Sequence, residues 1–254
     1  MRRIVTALLL AGGASYTIFF GPPLLFKAVV LVVALACYWE YSGLVVANGI
    51  PRPAFAGWLA GGVFLFAPSH AVLGLSLICV FALISALRFD NLRDVLPHVA
   101  ADFFGAIYAI LPWHFAELLR ARSVHWLFFG LALNWAGDSL AYYVGRTFGK
   151  NRLAPVISPK KSWEGAIGSV VGSVVFGVVY LGYFDPQVPR WKVAVTAVIA
   201  NIAGQLGDLA ESAIKRGAGV KDSGNILPGH GGMLDRVDSS LFALPVVYSL
   251  TLLL

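Results

Sequence analysis

The chain has 254 residues, 58% of them hydrophobic and only 13% charged, with a formal net charge of +6 and a mean hydropathy of +0.77. Soluble domains carry about 25% charged residues, so a water-soluble globular enzyme is excluded and the long apolar runs define an all-α, polytopic integral membrane protein. Cys37 and Cys79 both sit in apolar runs and suggest neither a disulfide framework nor a metal cluster.

In chain order, MRRIVTALLLAGGASYTIFF has the basic start and apolar centre of a signal peptide. Its small residues fall mid-run and further spans follow, so it reads as a retained first helix. A helix needs about 20 apolar residues to cross a bilayer. Breaks at Gly-Pro, Pro-Arg-Pro, Pro-Ser-His and the charged loops give about nine predicted transmembrane helices, near 4–20, 23–46, 54–67, 70–87, 100–115, 124–144, 164–184, 191–211 and 237–254. The third is short and Pro112 interrupts the fifth, so eight spans plus a re-entrant segment is the alternative. Most of the 19 Lys and Arg residues fall at the N-terminus and in the even-numbered loops. The positive-inside rule then places these in the cytoplasm, the chain being integral to the plasma (inner) membrane. With no repeat or linker, residues 1–254 read as a single membrane domain. Its first 120 residues are hydrophobic spans shaping a lipid cleft, and residues 121–254 hold the cytoplasmic loops 145–163 and 212–238.

Two spans carry polar stripes. On the eighth, Asn201, Gln205, Asp208, Ser212 and Lys215 are spaced +4, +3, +4, +3 and share one helix face, with Glu211 beside it. A carboxylate in a bilayer costs at least ~2.5–3.5 kcal/mol, so it faces a wet cavity or a partner. The bland alternative is helix packing through an Asp208–Lys215 or inter-helix pair. On the sixth span, Asn134, Asp138, Tyr142 and Gly145 again share a face.

The loop after the eighth span, GAGVKDSGNILPGHGGMLDRVDSS, holds Lys221, Asp222, His230, Asp235, Arg236 and Asp238. Asp235 and Asp238 lie three apart, on one side of a helix's first turn. With Asp208 and Asp222 they could form the oxygen-only cluster that Mg²⁺ prefers, whereas zinc would need His or Cys partners that are missing. The glycines can turn backbone N–H groups toward phosphate oxygens while Lys215, Arg216, Lys221 and Arg236 neutralise charge. The earlier loop repeats the theme with Arg146, Lys150, Arg152, Lys160 and Lys161, and Ser158-Pro159-Lys160-Lys161 reads as a rigid turn. Trp163 fits an interfacial anchor better than a base-stacking platform, and no nucleic-acid partner is expected. Glycine, base and acid together point to phosphoryl or nucleotidyl transfer. A serine hydrolase fits less well, because Ser212 has no nucleophile-elbow pattern. An ion transporter would explain the intramembrane acids but not the loop. A kinase of a lipid alcohol is the nearest enzymatic alternative.

The run from Ser212 to Ser239 resembles the signature of the phosphatidate cytidylyltransferases, the CDP-diacylglycerol synthases. Ser212, Lys215, Arg216, Lys221, Asp222, Pro228, His230, Gly231, Gly232, Asp235, Arg236 and Asp238 stand at its fixed positions. GDSLAYYVGRTFGK (137–150) and SPKKSWEG (158–165) also look like this family, with Ser162 where Thr is more often found. The resemblance covers about the last half of the chain. It implies the conversion of CTP and phosphatidate to CDP-diacylglycerol and pyrophosphate, with Mg²⁺ or another divalent cation, at a cytoplasmic-facing site within membrane lipid. Carried onto this sequence, it implies Asp208, Asp235 and Asp238 as metal ligands, with Asp222 sharing that role or holding Lys221. Lys215, Arg216, Lys221 and Arg236 would bind phosphates, beside the signature hydroxyl Ser212. Ser158, Lys160 and Lys161 would close over substrate, and Asp138 would complete an acidic floor. His230 would act as a base or shape the loop. Small-residue motifs such as Gly168-x3-Gly172 fit close helix packing within one chain or in a homodimer.

Overall fold

The computed structural model describes residues 12–53, 56–66, 71–227, 229 and 231–253. The start of the expected first helix, with Arg2 and Arg3, lies outside these residues, as does His230. The described chain divides into two compact units: Met1–Glu117 with Ile214–Arg236, and Leu118–Ala213 with Val237–Leu254. The segment carrying most of the signature therefore belongs to the unit built from the N-terminal helices.

In the first unit, α1 is described over residues 12–19 and α2 spans Pro23–Ala47. Pro23 presets the helical φ of the first turn. Asn48 donates its side-chain amide to the Leu44 carbonyl at 2.9 Å, and Gly49 at φ +79° turns the chain out of the helix. α3 (Ala56–Phe66) and α4 (Ala71–Ala86) follow. At 1.5 Å per residue they are about 16 and 24 Å long, short of a ~30 Å hydrocarbon core. A short 3₁₀ turn (Leu92–Asp94) leads into α5 (Val95–Gly105), a π-turn (Ala106–Ile110) and α6 (Leu111–Arg122). Pro112 does not break this helix as expected. It has no N–H for the carbonyl four residues back, and it directly follows the π-turn, where the Leu111 N–H reaches the Ala106 carbonyl five residues back.

The first unit's core gathers Tyr38, Phe64, Leu65, Ile78 and Ile110, all essentially inaccessible. Gly105 lets α5 meet α2, since a Cβ there would stand 2.9 Å from the Tyr38 ring. Asp102 and His98 are fully buried. The Tyr38 hydroxyl donates to Asp102 Oδ1, and Ser85 Oγ lies 2.9 Å from His98 Nε2, which partners one polar atom of each residue, while His98 Nδ1 and Asp102 Oδ2 are buried without a hydrogen-bond partner.

In the second unit, α7 (Val124–Phe148) leads to a hairpin, β1 (Arg152–Ala154) with β2 (Ser158–Ser162), then α8 (Trp163–Phe184), α9 (Arg190–Gly217) and α10 (Leu234–Thr251). The hairpin corrects the rigid turn expected at Ser158–Lys161, which is a strand pairing Ala154 with Ser158 and Arg152 with Ser162 antiparallel, within an otherwise helical fold. α7 and α8 pack through small residues, with Gly172 against the Ala136 carbonyl. Asn201 Nδ2 donates to Ser173 Oγ at 2.8 Å and Ser169 Oγ at 3.1 Å, and reaches Asn134 Oδ1 at 3.4 Å. Gln205 Nε2 donates to Asn201 Oδ1 at 2.7 Å. Two of the five stripe residues on α9, Asn201 and Gln205, are thus glue between helices.

Four described helices are long and apolar enough to cross a membrane: Pro23–Ala47, Leu92–Arg122, Trp163–Phe184 and Arg190–Gly217. These establish the helical membrane class, while the other five expected spans do not meet those criteria among the described residues.

Candidate active site

In the first unit the last turn of α9 supplies Lys215 and the first turn of α10 supplies Asp235. Lys215 Nζ donates to Asp235 Oδ1 at 2.6 Å, and the two side chains are only 10% and 5% exposed. The backbone N–H groups of Ser223 and Gly232 donate to Asp235 Oδ2 at 2.9 and 2.8 Å. Burial alone would raise the Asp235 pKa. The Lys215 ammonium and the two N–H donors outweigh it and hold the carboxyl below its ordinary range. Three of about four acceptor positions on this carboxylate are thereby used.

The loop between these residues is shaped by its glycines. Gly219, at φ +70°, lets the chain leave α9, and Arg216 Nη1 donates to the Val220 carbonyl at 3.2 Å. Leu227 N donates to the Gly231 carbonyl at 3.0 Å, closing a small turn in which Gly229 and Gly231 have φ near +80°. Such angles suit glycine, which has no Cβ to clash. Lys221 and Asp222 are exposed on this loop, and Arg236 is exposed in the first turn of α10.

One residue of this unit escaped the sequence reading. Glu40, on α2, is 3% exposed. Its Oε2 accepts from Ser223 Oγ at 3.0 Å and Leu234 N at 2.8 Å, and its Oε1 accepts from Met233 N at 2.9 Å. The signal was there to find, because a lone carboxylate in an apolar span demands a partner.

In the second unit Lys161, from β2, donates to Asp208 Oδ2 at 2.5 Å, and Ser212 Oγ donates to Asp208 Oδ1 at 3.3 Å. These are half-open positions, with Lys161 and Asp208 29% and 32% exposed. Asp138, on α7, is close enough to interact electrostatically with both. Asp208 is therefore paired with Lys161, and Lys215 with Asp235, in place of the Asp208–Lys215 pair that packing alone would suggest. Strand alternation turns Lys160 away from the face that Lys161 occupies, and Lys160 and Pro159 are exposed while Ser158 is half-buried. Ser162 Oγ caps α8 by accepting from Gly165 N at 3.2 Å. Asn151 Nδ2 donates to Glu164 at 2.8 Å, pinning the hairpin's base to the same helix. α10 crosses α9 at Gly207, where a Cβ would meet the Asp238 carbonyl at 2.7 Å. Asp238 Oδ1 accepts from Ser239 N at 2.6 Å.

Among the described residues no group of three or more His, Cys, Asp or Glu is placed to hold a metal ion. Mg²⁺ needs less than that, because it uses one or two carboxylates and takes its remaining oxygens from water and substrate phosphates. Asp208 and Asp138, sharing one lysine, fit such a partial ligand set.

Lysine–carboxylate pairs occur in each unit, with the glycine-rich loop in the first and the basic hairpin in the second, on a chain whose helices are long and apolar enough to cross a membrane. The chain belongs to the cytidylyltransferase family, whose sequence model matches residues 1–254. It is 33% identical to the phosphatidate cytidylyltransferase of Bacillus subtilis (strain 168) over 260 residues, covering 98% of this chain and 96% of that one. It is 39% identical to the Staphylococcus haemolyticus protein of the same name over 167 residues, covering 66% and 64%. With the Staphylococcus saprophyticus one it shares 44% over 128 residues, covering 50% and 49%. The matched stretch thus spans somewhat less than two thirds of one staphylococcal protein, about half of the other and nearly the whole of the Bacillus one.

Proposed function

We propose that this protein transfers CMP from CTP to phosphatidate, giving CDP-diacylglycerol and pyrophosphate, at the cytoplasmic face of the membrane. The observation that carries the reading is Asp235, fixed by Lys215 and two backbone N–H groups within the Ser212–Ser239 run that resembles the family signature. The family match along the whole chain and the names of the relatives support it.

In this reaction an oxygen of the phosphatidate phosphate attacks the α-phosphorus of CTP in line. The bond from that phosphorus to the bridging oxygen of the β-phosphate breaks, and pyrophosphate leaves. A phosphate monoester is largely ionised near neutral pH, its second pKa being ~6, so no dedicated base is required. The exposed cations Arg216, Lys221 and Arg236 take the triphosphate and the lipid phosphate, with Asp222 orienting Lys221. Lys161 is held at Asp208 until substrate arrives, and Ser158 and Lys160 extend the same hairpin over it. Asp208, with Asp138 beside it, Ser212 below and Asp238 on the crossing helix, would hold the divalent cation. Asp235 positions Lys215 and the loop. Bound Mg²⁺ would neutralise the charge that gathers on the departing pyrophosphate.

The test is to incubate the purified protein in detergent with CTP, phosphatidate and Mg²⁺ and to measure CDP-diacylglycerol by mass spectrometry. Product that EDTA and Asp208→Asn both abolish is expected. A folded protein that makes none, but phosphorylates a lipid alcohol from CTP, would replace this reading with a kinase.

A further inference from the structure

Glu40 stands apart from every residue given a role so far. It belongs to a hydrophobic helix near the N-terminus, yet its hydrogen bonds reach partners 183, 193 and 194 residues further along the chain. They meet the start of α10 and the loop before it. Met233 N and Leu234 N are orphan donors at a helix N-terminus, which normally takes its cap from a neighbouring Ser, Thr, Asp or Asn. Here the cap comes from another helix, and it carries the negative charge that a helix N-terminus favours.

Two further features make the arrangement specific. Gly224 and Gly232 both flank the carboxylate, and a Cβ on Gly224 would stand 2.6 Å from Oε1, with less room still at Gly232. The loop is therefore built around this side chain. Ser223 connects it to Asp235: its Oγ donates to Glu40 Oε2 and accepts from Asp235 N at 3.3 Å, while its N–H donates to Asp235 Oδ2 at 2.9 Å. The chain Glu40–Ser223–Asp235–Lys215 is continuous.

We infer that Glu40 is a positioning residue for the reaction: it clamps the glycine-rich loop and the first turn of α10 so that Asp235 and Lys215 hold their working geometry. The inference rests on the proposed cytidylyltransferase activity. A displacement of about 1 Å in such machinery can cost about 100-fold in rate. Because Glu40 touches the loop's backbone rather than its exposed cations, the loss falls on kcat.

The experiment compares Glu40→Gln with Glu117→Gln, a buried carboxylate of the same unit that faces Lys27 and His114 instead. Both full-length variants are purified in detergent, and CDP-diacylglycerol synthesis is measured per folded molecule, beside backbone amide exchange by mass spectrometry. For Glu40→Gln we expect kcat to fall by about 100-fold, with KM for CTP and for phosphatidate moving less than about threefold. Exchange at Met233 and Leu234 should rise at least about tenfold. Glu117→Gln should keep kcat and the loop's protection. Unchanged kcat in folded Glu40→Gln, or equal losses in both variants, would overturn the inference. Should Glu40→Gln fail to fold, Ser223→Ala decides, since it removes the bridge and leaves the helix cap. A fall in kcat at constant KM supports positioning, and an unchanged kcat refutes it. A wild-type protein that makes no CDP-diacylglycerol sinks the functional reading itself, and the catalytic role of Glu40 with it.

Discussion

Replacing Lys215 by Met leaves Asp235 in place with its counter-charge gone. Breaking a buried ion pair from one side costs about 3–5 kcal/mol, because the surviving charge stays buried. Asp235 keeps the N–H groups of Ser223 and Gly232, so the low end applies, about 3 kcal/mol. For a chain of this size that is a fall of about 6–12 °C in Tm, readable by intrinsic fluorescence in detergent. Asp235→Asn alone should also destabilise, since an amide that turns its NH₂ to Lys215 or to the two N–H groups meets donors with a donor. The double variant Lys215→Met, Asp235→Asn removes both charges. It should be more stable than the sum of the single losses by about 2 kcal/mol and remain inactive. Strict additivity, with no recovery in the double variant, would refute the view that these groups form one coupled, desolvated pair.

Lys161→Met tests the contrast, because this pair is about one-third exposed. Stability should change by less than ~1 kcal/mol, while CDP-diacylglycerol synthesis falls about 100-fold through loss of a positioned cation. Gly137→Ala would push a Cβ to within 2.6 Å of Ser169 Oγ and 2.7 Å of Ser173 Oγ. It should lower stability by about 1–3 kcal/mol, measured as a drop in Tm. The pH dependence follows from the depressed Asp235 pKa. Its stabilisation is complete above the unfolded-state value of about 3.9 and is lost as pH falls through the lower folded value. The pH dependence of Tm between pH 5 and 8 should therefore owe nothing to this group, whose contribution is constant there, and Asp235→Asn should flatten the acid limb below about pH 4.

The sequence made legible what is local. Apolar runs marked the helices, and the density of glycine, lysine and aspartate from 217 to 240 marked the loop. Lys215 and Asp235, 20 residues apart at two helix ends, could be expected to serve one site. Helix periodicity placed Asn201, Gln205 and Asp208 on one face, yet it could not divide their roles. Asn201 and Gln205 tie helices together, whereas Asp208 faces a strand lysine 47 residues away. The hairpin was misread as a turn because Pro159 and two lysines disfavour a strand by local preference, and the pairing with β1 overrides it. Glu40 was missed because hydrogen bonds across some 190 residues leave no local pattern. Only the cost of a charge in an apolar helix hinted at it.

That separation also sets an order in time. Ribosomes add about 5–20 residues per second, so α2 is made roughly 10–40 seconds before Met233 and Leu234 exist to donate to it. Through that interval the nascent membrane helix carries a carboxylate whose native donors have not been synthesised. Chains that stop short of Ser223 never acquire them, and expose to quality-control proteases an unsatisfied acid that the finished protein conceals.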